Sequence, residues 1–357
     1  MKSGKLNICY GGQCGSEAKG KMAAYLVDKF DIRIVAGSLS PNAGHTVIKD
    51  GRKTITHHIP AGVMGGRDLS KMIVVMGPAS VINPAILAHE IEALTGAGFK
   101  SENLFIDGRA AIITQDMMRK EQEEMTKIGG TAQGVGEARS ARLMRRGIRA
   151  DSVIPEYAAA DTSLMIRMAL DHGSTILYEM GQGFDLCIDH GVDPVYCTSR
   201  NCTPMQALAD TGVPPEYLGD VYAVIRPYPI RMNNRDESSG PYPSREITWE
   251  EVGRRCGAPH DITEYTTTTK LKRRVFEFAW KRIRTMVGVC SPDFLCLQFI
   301  NYLSWSDYGK THFDELVHET RVFVNRLEDE TRIPVAYLGS GPGHEHMVDR
   351  GIDARGD

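Results

Sequence analysis

The feature that most constrains the fold is a glycine-rich stretch, residues 11–21, between two short apolar runs. The run before it is typical of a buried strand, and residues 22–27 are typical of a helix. In a strand, glycine-rich turn and helix, backbone N–H groups and a helix N-terminus surround an anion. The spacing Gly15-x-x-x-x-Gly20-Lys21 fits the phosphate-loop pattern except at its last place, where Met22 replaces Ser or Thr. The sequence therefore predicts a phosphate-binding turn, and a tight turn with two exposed lysines is the simpler alternative.

Composition excludes several classes of partner. The 357 residues carry 42 basic and 45 acidic side chains, so the net charge of −3 gives no reason to expect nucleic-acid binding. No apolar run approaches the ~20 residues that span a bilayer, so we expect no membrane partner. The eight cysteines are scattered and form no Cys-x-x-Cys pair, which favours free thiols in a reducing compartment. We therefore expect a cytoplasmic protein.

Apolar runs alternate with helical stretches along most of the chain. Strands are predicted at residues 71–76, 104–107, 175–179, 294–300 and 335–338, and helices at 274–286 and 315–330. Asp50-Gly51 indicates a hairpin, and Asn83-Pro84 the start of another helix. This alternation predicts the α/β class, with a large, mostly parallel central sheet flanked by helices. We expect one domain over residues 1–357, with small accessory excursions around 110–150 and 230–275.

Two further loops are candidate ligand sites. His45 lies in a polar loop, residues 37–46, where it could contact a ligand and titrate near neutral pH, or be an ordinary surface histidine. Residues 129–136 form a second glycine-rich loop, which is followed by arginines at three- to four-residue spacing (Arg139, Arg142, Arg145 and Arg146). These arginines indicate either a solvated basic helix face or a pocket for a phosphate monoester.

Polar residues also follow the later strands. Gln182 and Thr198 come after the strand at 175–179, at the sheet edge where open α/β sheets bind ligands. Asp189-His190 has no third metal ligand at helical spacing, so we interpret the pair as positioning groups. The threonines and cations of residues 266–274 suit a carboxylate or phosphate, and residues 339–343 form another candidate loop.

Taken together, these motifs resemble the adenylosuccinate synthetase family. The family's Gly-Asp-Glu-Gly-Lys-Gly-Lys corresponds to Gly-Ser-Glu-Ala-Lys-Gly-Lys at residues 15–21, and its Asn-Ala-Gly-His-Thr is intact at residues 42–46. The segments around Thr131 and Arg145, Gln182, residues 189–191, 198–199, 240–243, 268–273 and 340–342 match in the same order. The resemblance covers almost the whole chain, with a shorter middle than in the bacterial enzymes.

The resemblance implies a two-step reaction. A base removes the N1 proton of a 6-oxopurine nucleotide, the purine O6 attacks the γ-phosphate of a nucleoside triphosphate, and the amine of L-aspartate displaces the phosphate. His45, Ser16, Gln182 and Lys19 are the implied catalytic residues, with His45 as the acid near O6. Mg²⁺ is implied as the cofactor, held by Ser16 and the backbone carbonyl of Gly44.

The same resemblance assigns the binding residues. The implied triphosphate site comprises Gly15, Ser16, Glu17, Ala18, Lys19, Gly20, Lys21, Gly44, His45, Thr46, Asn301, Ser340, Gly341 and Pro342. The implied substrate nucleotide site comprises Ser16, Asn42, Gly130, Thr131, Arg145, Gln182 and Thr198. The implied aspartate site comprises Thr267, Thr268, Thr269, Lys272 and Arg273. Arg145 would reach the substrate phosphate of a neighbouring subunit, which implies a homodimer.

Three departures from the family pattern bear on the substrates. Ser16 replaces the catalytic aspartate, and because a neutral hydroxyl is a poor base, either Glu17 or a water takes the N1 proton or the substrate differs. Phe299 and Asn301 occupy the positions of the Lys-x-Asp that reads guanine, so ATP or dATP is the expected donor. Leu271 replaces an arginine near aspartate and the ribose, which could relax the need for a 2′-hydroxyl.

The serine is associated with the phage branch of the family, the 2-aminoadenylosuccinate synthetases. Our hypothesis is therefore the reaction of dGMP, ATP and L-aspartate to 2-amino-2′-deoxyadenylosuccinate, ADP and phosphate, in a host cytoplasm if a phage encodes the chain. The alternatives are ordinary adenylosuccinate synthesis from IMP with GTP, a degenerate nucleotide-binding protein without ligase activity, and a plain phosphate-loop kinase.

Overall fold

A ten-stranded sheet forms the centre of the protein in the computed structural model, which describes residues 1–125, 128, 130–159, 161–232, 239–266 and 270–352. The strands of this sheet, in chain order, are β1 (Leu6–Gly11), β2 (Ile34–Gly37), β5 (Ile73–Met76), β7 (Leu104–Asp107), β9 (Ala158–Ala159), β10 (Ile176–Glu179), β11 (Leu218–Ile225), β15 (Phe294–Leu297), β16 (Val335–Gly339) and β17 (Met347–Asp349). Their spatial order is β17-β16-β15-β11-β1-β10-β2-β5-β7-β9. Only β17 pairs antiparallel, so the predicted α/β class with a mostly parallel sheet is confirmed.

Helices cover both faces of the sheet. The helices of the described chain are α1 (Lys19–Lys29), α2 (Pro84–Thr95), α3 (Gln115–Glu124), α4 (Val135–Leu143), α5 (Thr162–Asp171), α6 (Pro204–Thr211), α7 (Trp249–Cys256), α8 (Trp280–Cys290) and α9 (His318–Thr331). One apolar core contains α1 and α2, and the opposite core contains α5, α6, α8 and α9. Within β1, Cys9 enters the first core whereas Ile8 and Tyr10 enter the second, because successive strand residues point to opposite faces.

Three small sheets lie beside the main one. They are the hairpin of β3 (His45–Lys49) with β4 (Arg52–Thr56), the pair of β6 (Val81–Ile82) with β8 (Ala111–Ile112), and the trio of β12 (Ile230–Arg231), β13 (Glu246–Ile247) and β14 (Arg274–Phe276). The Asp50-Gly51 hairpin prediction is thus confirmed. The helix predicted at 274–286 is wrong at its start, because Val275 pairs with Ile230 as part of β14 and the helix begins at Trp280.

The topology sets where ligands can bind. Because β1 lies between β10 and β11 and runs parallel to both, the segments that leave these three strands meet at one edge of the sheet. Such a point in an open α/β sheet is the usual ligand crevice. Within the ranges given above, no helix combines the length and the apolar character needed to cross a bilayer.

Candidate active site

A cavity of about 500 Å³ opens at this edge of the sheet. Its wall includes most of the site residues predicted from the sequence: Gly15, Ser16, Ala18, Lys19, Gly20, Lys21, Asn42, Gly44, His45, Thr46, Gly130, Thr131, Gln182, Thr198, Arg273, Gly341 and Pro342. These residues come from segments far apart in the sequence. The fold therefore brings the phosphate-loop, histidine and threonine motifs to a single cavity.

The glycine-rich turn after β1 encloses its own carboxylate. Glu17 is fully buried, and its Oε1 accepts hydrogen bonds from the backbone N–H groups of Gly15 (2.6 Å) and Gln13 (3.2 Å). Its Oε2 accepts from Lys19 Nζ at 2.8 Å. Glu17 does not line the cavity, because left-handed backbone conformations at the neighbouring residues 16 and 18 fold its side chain inward. The carboxylate thus neutralises the lysine and stabilises the turn.

Close backbone contact explains why the turn contains glycine. A Cβ at Gly11 would lie 2.7 Å from the carbonyl oxygen of Gln182, and one at Gly183 would lie 2.2 Å from that of Gln13. Real Cβ atoms do not approach backbone so closely, so these glycines let the loop after β10 pack directly on the turn. This contact places Gln182, itself in a left-handed conformation, beside the turn at the cavity wall.

The second lysine of the turn has a different role from Lys19. Lys21 is buried at the start of α1, and its Nζ donates to the carbonyl oxygens of Gly341 (2.7 Å) and His346 (2.8 Å). Burial lowers the pKa of its amine to about 7. Lys21 therefore joins the phosphate turn to the loop after β16, which carries the predicted terminal ligand residues.

His45 is oriented by a carboxylate that the sequence analysis did not identify. It is the first residue of β3, and its Nδ1 is hydrogen-bonded to Glu179 Oε1. The other oxygen of Glu179 accepts from the backbone N–H of Gly62 at 2.9 Å, and the carboxylate is buried. A carboxylate oxygen can only accept here, so Nδ1 carries the proton and Nε2 is the ring nitrogen that can meet a ligand. The acidic residue that ends an apolar strand was the sequence signal for this partner.

The predicted phosphate-monoester end is organised by hydroxyl and amide groups. Thr131 Oγ1 donates to Asn42 Oδ1 at 2.8 Å, which joins the second glycine-rich loop to the histidine loop. Thr198 lines the same cavity, and its backbone N–H donates to Leu186 O at 2.8 Å. Because Thr131 gives its hydroxyl hydrogen to Asn42, the N–H groups of the Asn42 amide are the neutral donors that this pair can offer an anionic ligand.

Of the two described residues predicted to bind aspartate, Lys272 and Arg273, it is Arg273 that reaches the cavity wall. Its Nη1 donates to Glu264 at 2.6 Å, and the same carboxylate bridges to Arg226, whose Nη1 donates to the carbonyl oxygen of Ser16 at 3.0 Å. Glu264 and Arg226 were also missed from the sequence. The one available signal was that Glu264 stands just before the threonine-rich loop.

Several predicted residues lie elsewhere. Lys272 is exposed and pairs with Glu250 at 3.5 Å, because it alternates with Arg273 at the approach to β14. Ser340 is fully buried, with its Oγ donating to Lys310 O at 2.6 Å. Asn301 is buried away from the cavity wall, where Phe299 is exposed to the cavity instead. Arg145 lies on the protein surface after α4. Thr267, Thr268 and Thr269 lie outside the described residues.

The donor groups at the cavity constrain any metal site. Across the described part of the chain, no three His, Cys, Asp or Glu residues cluster closely enough to hold a metal ion. Ser16 and Gly44 are at the cavity wall, whereas the Glu17 carboxylate is turned inward. Mg²⁺ usually binds through few protein oxygens together with substrate phosphates and waters, so this neutral donor set fits an ion carried by a triphosphate.

Comparisons with known proteins give one consistent result. A sequence model of the adenylosuccinate synthetase family matches residues 8–159 and 151–308. The chain is 32% identical to the adenylosuccinate synthetase of Pyrococcus horikoshii over 351 residues, which cover 96% of this chain and 98% of that one. It is 33% identical to the N6-succino-2-amino-2′-deoxyadenylate synthase of Vibrio phage phiVC8 over 344 residues, 92% of this chain and 94% of that one.

A solved structure agrees with the sequence matches. The succinoaminodeoxyadenylate synthetase of cyanophage S-2L, bound to dGMP and to dATP as an energy donor, superposes with a TM-score of 0.81 at 28% identity. The match covers 97% of this chain and 95% of that one. The family resemblance drawn from the motifs is thus confirmed, and the chain belongs to the adenylosuccinate synthetase family of nucleotide-dependent, C–N bond-forming ligases.

Proposed function

We propose that this protein joins L-aspartate to C6 of dGMP, with ATP or dATP as the phosphoryl donor, to give 2-amino-2′-deoxyadenylosuccinate. The observation that carries the proposal is Ser16 at the cavity wall while the only carboxylate of the turn, Glu17, points inward. A serine is shorter than an aspartate and its hydroxyl can accept from an amine, so this wall leaves room and a partner for the 2-amino group of guanine.

Identity alone does not separate the candidate substrates. The archaeal adenylosuccinate synthetase and the phage enzyme are 32% and 33% identical to this chain, so sequence identity favours neither substrate. The name of the phage enzyme and the dGMP bound in the cyanophage structure support the deoxyguanylate reaction. Synthesis of adenylosuccinate from IMP with GTP is the second candidate, favoured by the archaeal match.

Phe299 at the cavity wall bears on the identity of the donor base. Phe299, at the lysine position of the guanine-reading Lys-x-Asp, lines the wall, whereas Asn301, at the carboxylate position, is buried away from it. Arg226 lies over the ring of Phe299, with 4.2 Å between the guanidinium carbon and the ring centroid. An aromatic face stacks on any purine but cannot accept from the N1 and N2 hydrogens of guanine. This wall supports an adenine donor and leaves its sugar, ribose or deoxyribose, open.

The residues at the wall suggest a division of labour. Lys19 and the N–H groups of the turn would hold the triphosphate, while Asn42, Thr131 and Thr198 would hold the 5′-phosphate of dGMP. Gln182 would orient the purine, and His45 would donate from Nε2 as charge develops between O6 and the γ-phosphate. Mg²⁺, held by Ser16, Gly44 and the phosphates, would neutralise charge on the transferring group.

A second copy of the chain would complete the substrate phosphate site. Arg145 lies outside its own cavity and follows two strongly exposed apolar side chains, Leu143 (82% exposed) and Met144 (61% exposed). An exposed apolar patch beside a cation is typical of a protein interface. We infer a homodimer in which Arg145 reaches the partner's site, and light scattering of wild type and Leu143→Asp would test it by a shift from dimer to monomer.

Product analysis tests the reaction directly. The pure protein is incubated with ATP, Mg²⁺ and L-aspartate and with dGMP, GMP or IMP in turn, and products are identified by mass spectrometry. We expect aspartate-dependent product from dGMP above the other nucleotides. Turnover of IMP with GTP and none of dGMP would return the chain to ordinary adenylosuccinate synthesis, and phosphoryl transfer without aspartate would make it a kinase. No product with any nucleotide would support a binding protein without ligase activity.

A further inference from the structure

We propose that Glu264 is a positioning residue that holds Arg273 for a carboxylate of the amino-acid substrate and, through Arg226, joins that arginine to the phosphate turn. This rests on the proposed function, since it takes L-aspartate as the carboxylate that Arg273 binds. No motif in the sequence assigns a role to Glu264 or Arg226, and neither side chain lines the cavity.

Glu264 bridges two arginines at short distances. Its Oε2 accepts from Arg273 Nη1 at 2.6 Å, and its Oε1 accepts from Arg226 Nη2 at 2.5 Å. The hydroxyl of Tyr302 donates to Oε1 at 3.1 Å. The backbone N–H of Arg273 also donates to Glu264 O at 2.9 Å, so side chain and main chain fix the same arginine. Arg273 is therefore held before any ligand arrives.

The charge of the cluster leaves a place for an anion. Two guanidinium groups face one carboxylate, so the cluster keeps a net positive charge, and of its three charged members Arg273 is the one at the cavity wall. One edge of the Arg273 guanidinium is taken by Glu264, and its Nε has no partner among the described residues. A guanidinium offers five N–H donors, so a substrate carboxylate can bind without displacing Glu264.

Arg226, at the other end of the cluster, is hydrogen-bonded to the phosphate turn. Arg226 is fully buried, and its backbone N–H donates to Gln13 Oε1 at 2.9 Å while Gln13 Nε2 donates back to Arg226 O at 3.1 Å. Its Nη1 donates to Ser16 O at 3.0 Å. Ser16, proposed to meet the purine, is thus connected to Arg273, proposed to meet aspartate, through the side chains of Arg226 and Glu264. This connection fixes the position of one site relative to the other.

The charge of Glu264, and not a proton, is what the cluster uses. Burial raises the pKa of this carboxyl, but the two guanidinium groups outweigh burial and hold the pKa at about 2. The group is ionised throughout the neutral range and is too weak a base to take the purine N1 proton. This separates a positioning role from the general-base role that the replacement of aspartate by Ser16 left open.

The test is steady-state kinetics on Glu264→Gln, which keeps the shape and removes the charge. We expect the KM for aspartate to rise by roughly ten-fold or more, the loss typical of one charge-assisted hydrogen bond, with the KM for dGMP and ATP within about three-fold. Glu264→Asp should recover part of the loss because the charge returns. Tyr302→Phe is the matched control, since it removes a neutral hydrogen bond to the same carboxylate, and we expect a change below about three-fold.

Three results would overturn the inference. They are an unchanged KM for aspartate in folded Glu264→Gln, an equal rise of all three KM values as expected for a purely structural role, or an Asp variant no better than Gln. Calorimetric binding of dGMP reports whether each variant is folded. If Glu264→Gln does not fold, the KM for aspartate of Glu264→Asp is compared with that of Tyr302→Phe, and a KM no higher in Glu264→Asp overturns the inference. Wild type without aspartate-dependent product refutes the proposed function and this inference together, whereas active wild type with an unaffected Glu264→Gln refutes only the latter.

Discussion

The two ends of the cavity are built in different ways. At the phosphate end, the turn after β1 contains its own counter-charge, because Glu17 and Lys19 pair within two residues of each other. At the proposed amino-acid end, Arg273 is held by Glu264, which also pairs with Arg226, and both partners belong to other segments of the chain. A local motif therefore specifies the first end, and tertiary structure specifies the second. Substitutions at the two ends should therefore differ in what they change.

His45→Asn should have the largest effect, because it removes the proposed acid from the phosphate end. We expect kcat to fall by roughly 10²- to 10⁴-fold, with the KM for each nucleotide changed only a few-fold. His172→Asn, an exposed histidine after α5, is the control and should match wild type. A His45→Asn enzyme with normal kcat would remove His45 from the chemistry.

Glu179→Gln should cost less than the loss of His45 itself. The amide can still accept from Nδ1 but no longer stabilises a positive imidazole ring, so we expect a loss of roughly 10- to 100-fold in kcat. The measurement is the pH dependence of kcat in the variant and in wild type. A loss equal to that of His45→Asn would mean that the carboxylate does more than orient the ring.

Arg273→Met and Lys272→Met form a matched pair at the amino-acid end. The first removes a partly buried cation at the cavity wall, and we expect the KM for aspartate to rise roughly 10-fold or more. The second removes an exposed cation whose partner is also exposed, so we expect less than about two-fold change. Equal effects of the two variants on aspartate would contradict the placement of these side chains.

Glu17→Gln should have a smaller effect on kcat than either change at the His45–Glu179 pair, because the Glu17 carboxylate is turned away from the cavity. It frees Lys19 from its counter-charge, and we expect less than about ten-fold loss in kcat, with an unchanged pH profile. Titration of the variant with ATP measures how loss of the Lys19 counter-charge changes the affinity of the turn for the triphosphate. A loss comparable to that of His45→Asn, together with loss of the low-pH limb of the profile, would instead make Glu17 the purine base.

The sequence predicted the fold well because its signals are local. Apolar runs and glycine-rich turns mark β1, β10 and α1 directly, and the predicted sheet class is confirmed. The helix predicted at 274–286 starts too early, because Val275 pairs with Ile230 of β12 and residues 274–276 form a strand. Pairing between distant segments has no local signal, so residues 274–276 alone do not reveal that they form a strand.

The candidate site could be predicted only in part, for the same reason. Lys19, His45 and Thr131 belong to compact motifs, and the fold brings them to one wall. Glu264 and Arg226 have no motif, and their importance depends on a hydrogen-bonded cluster that only folding creates. Asn301 and Lys272 were placed at the site by position in a motif, yet neighbouring residues along a chain need not face the same way.

The contacts of Lys21 have a consequence for the order in which the protein can fold during synthesis. The ammonium group of Lys21, near the beginning of the chain, has its two carbonyl acceptors at Gly341 and His346. During synthesis on the ribosome, this lysine has no acceptors until residues 341–346, more than 300 positions after the turn, have emerged. A chain that stalls before that point would carry a complete nucleotide motif but lack the loop that fastens Lys21 at the start of α1.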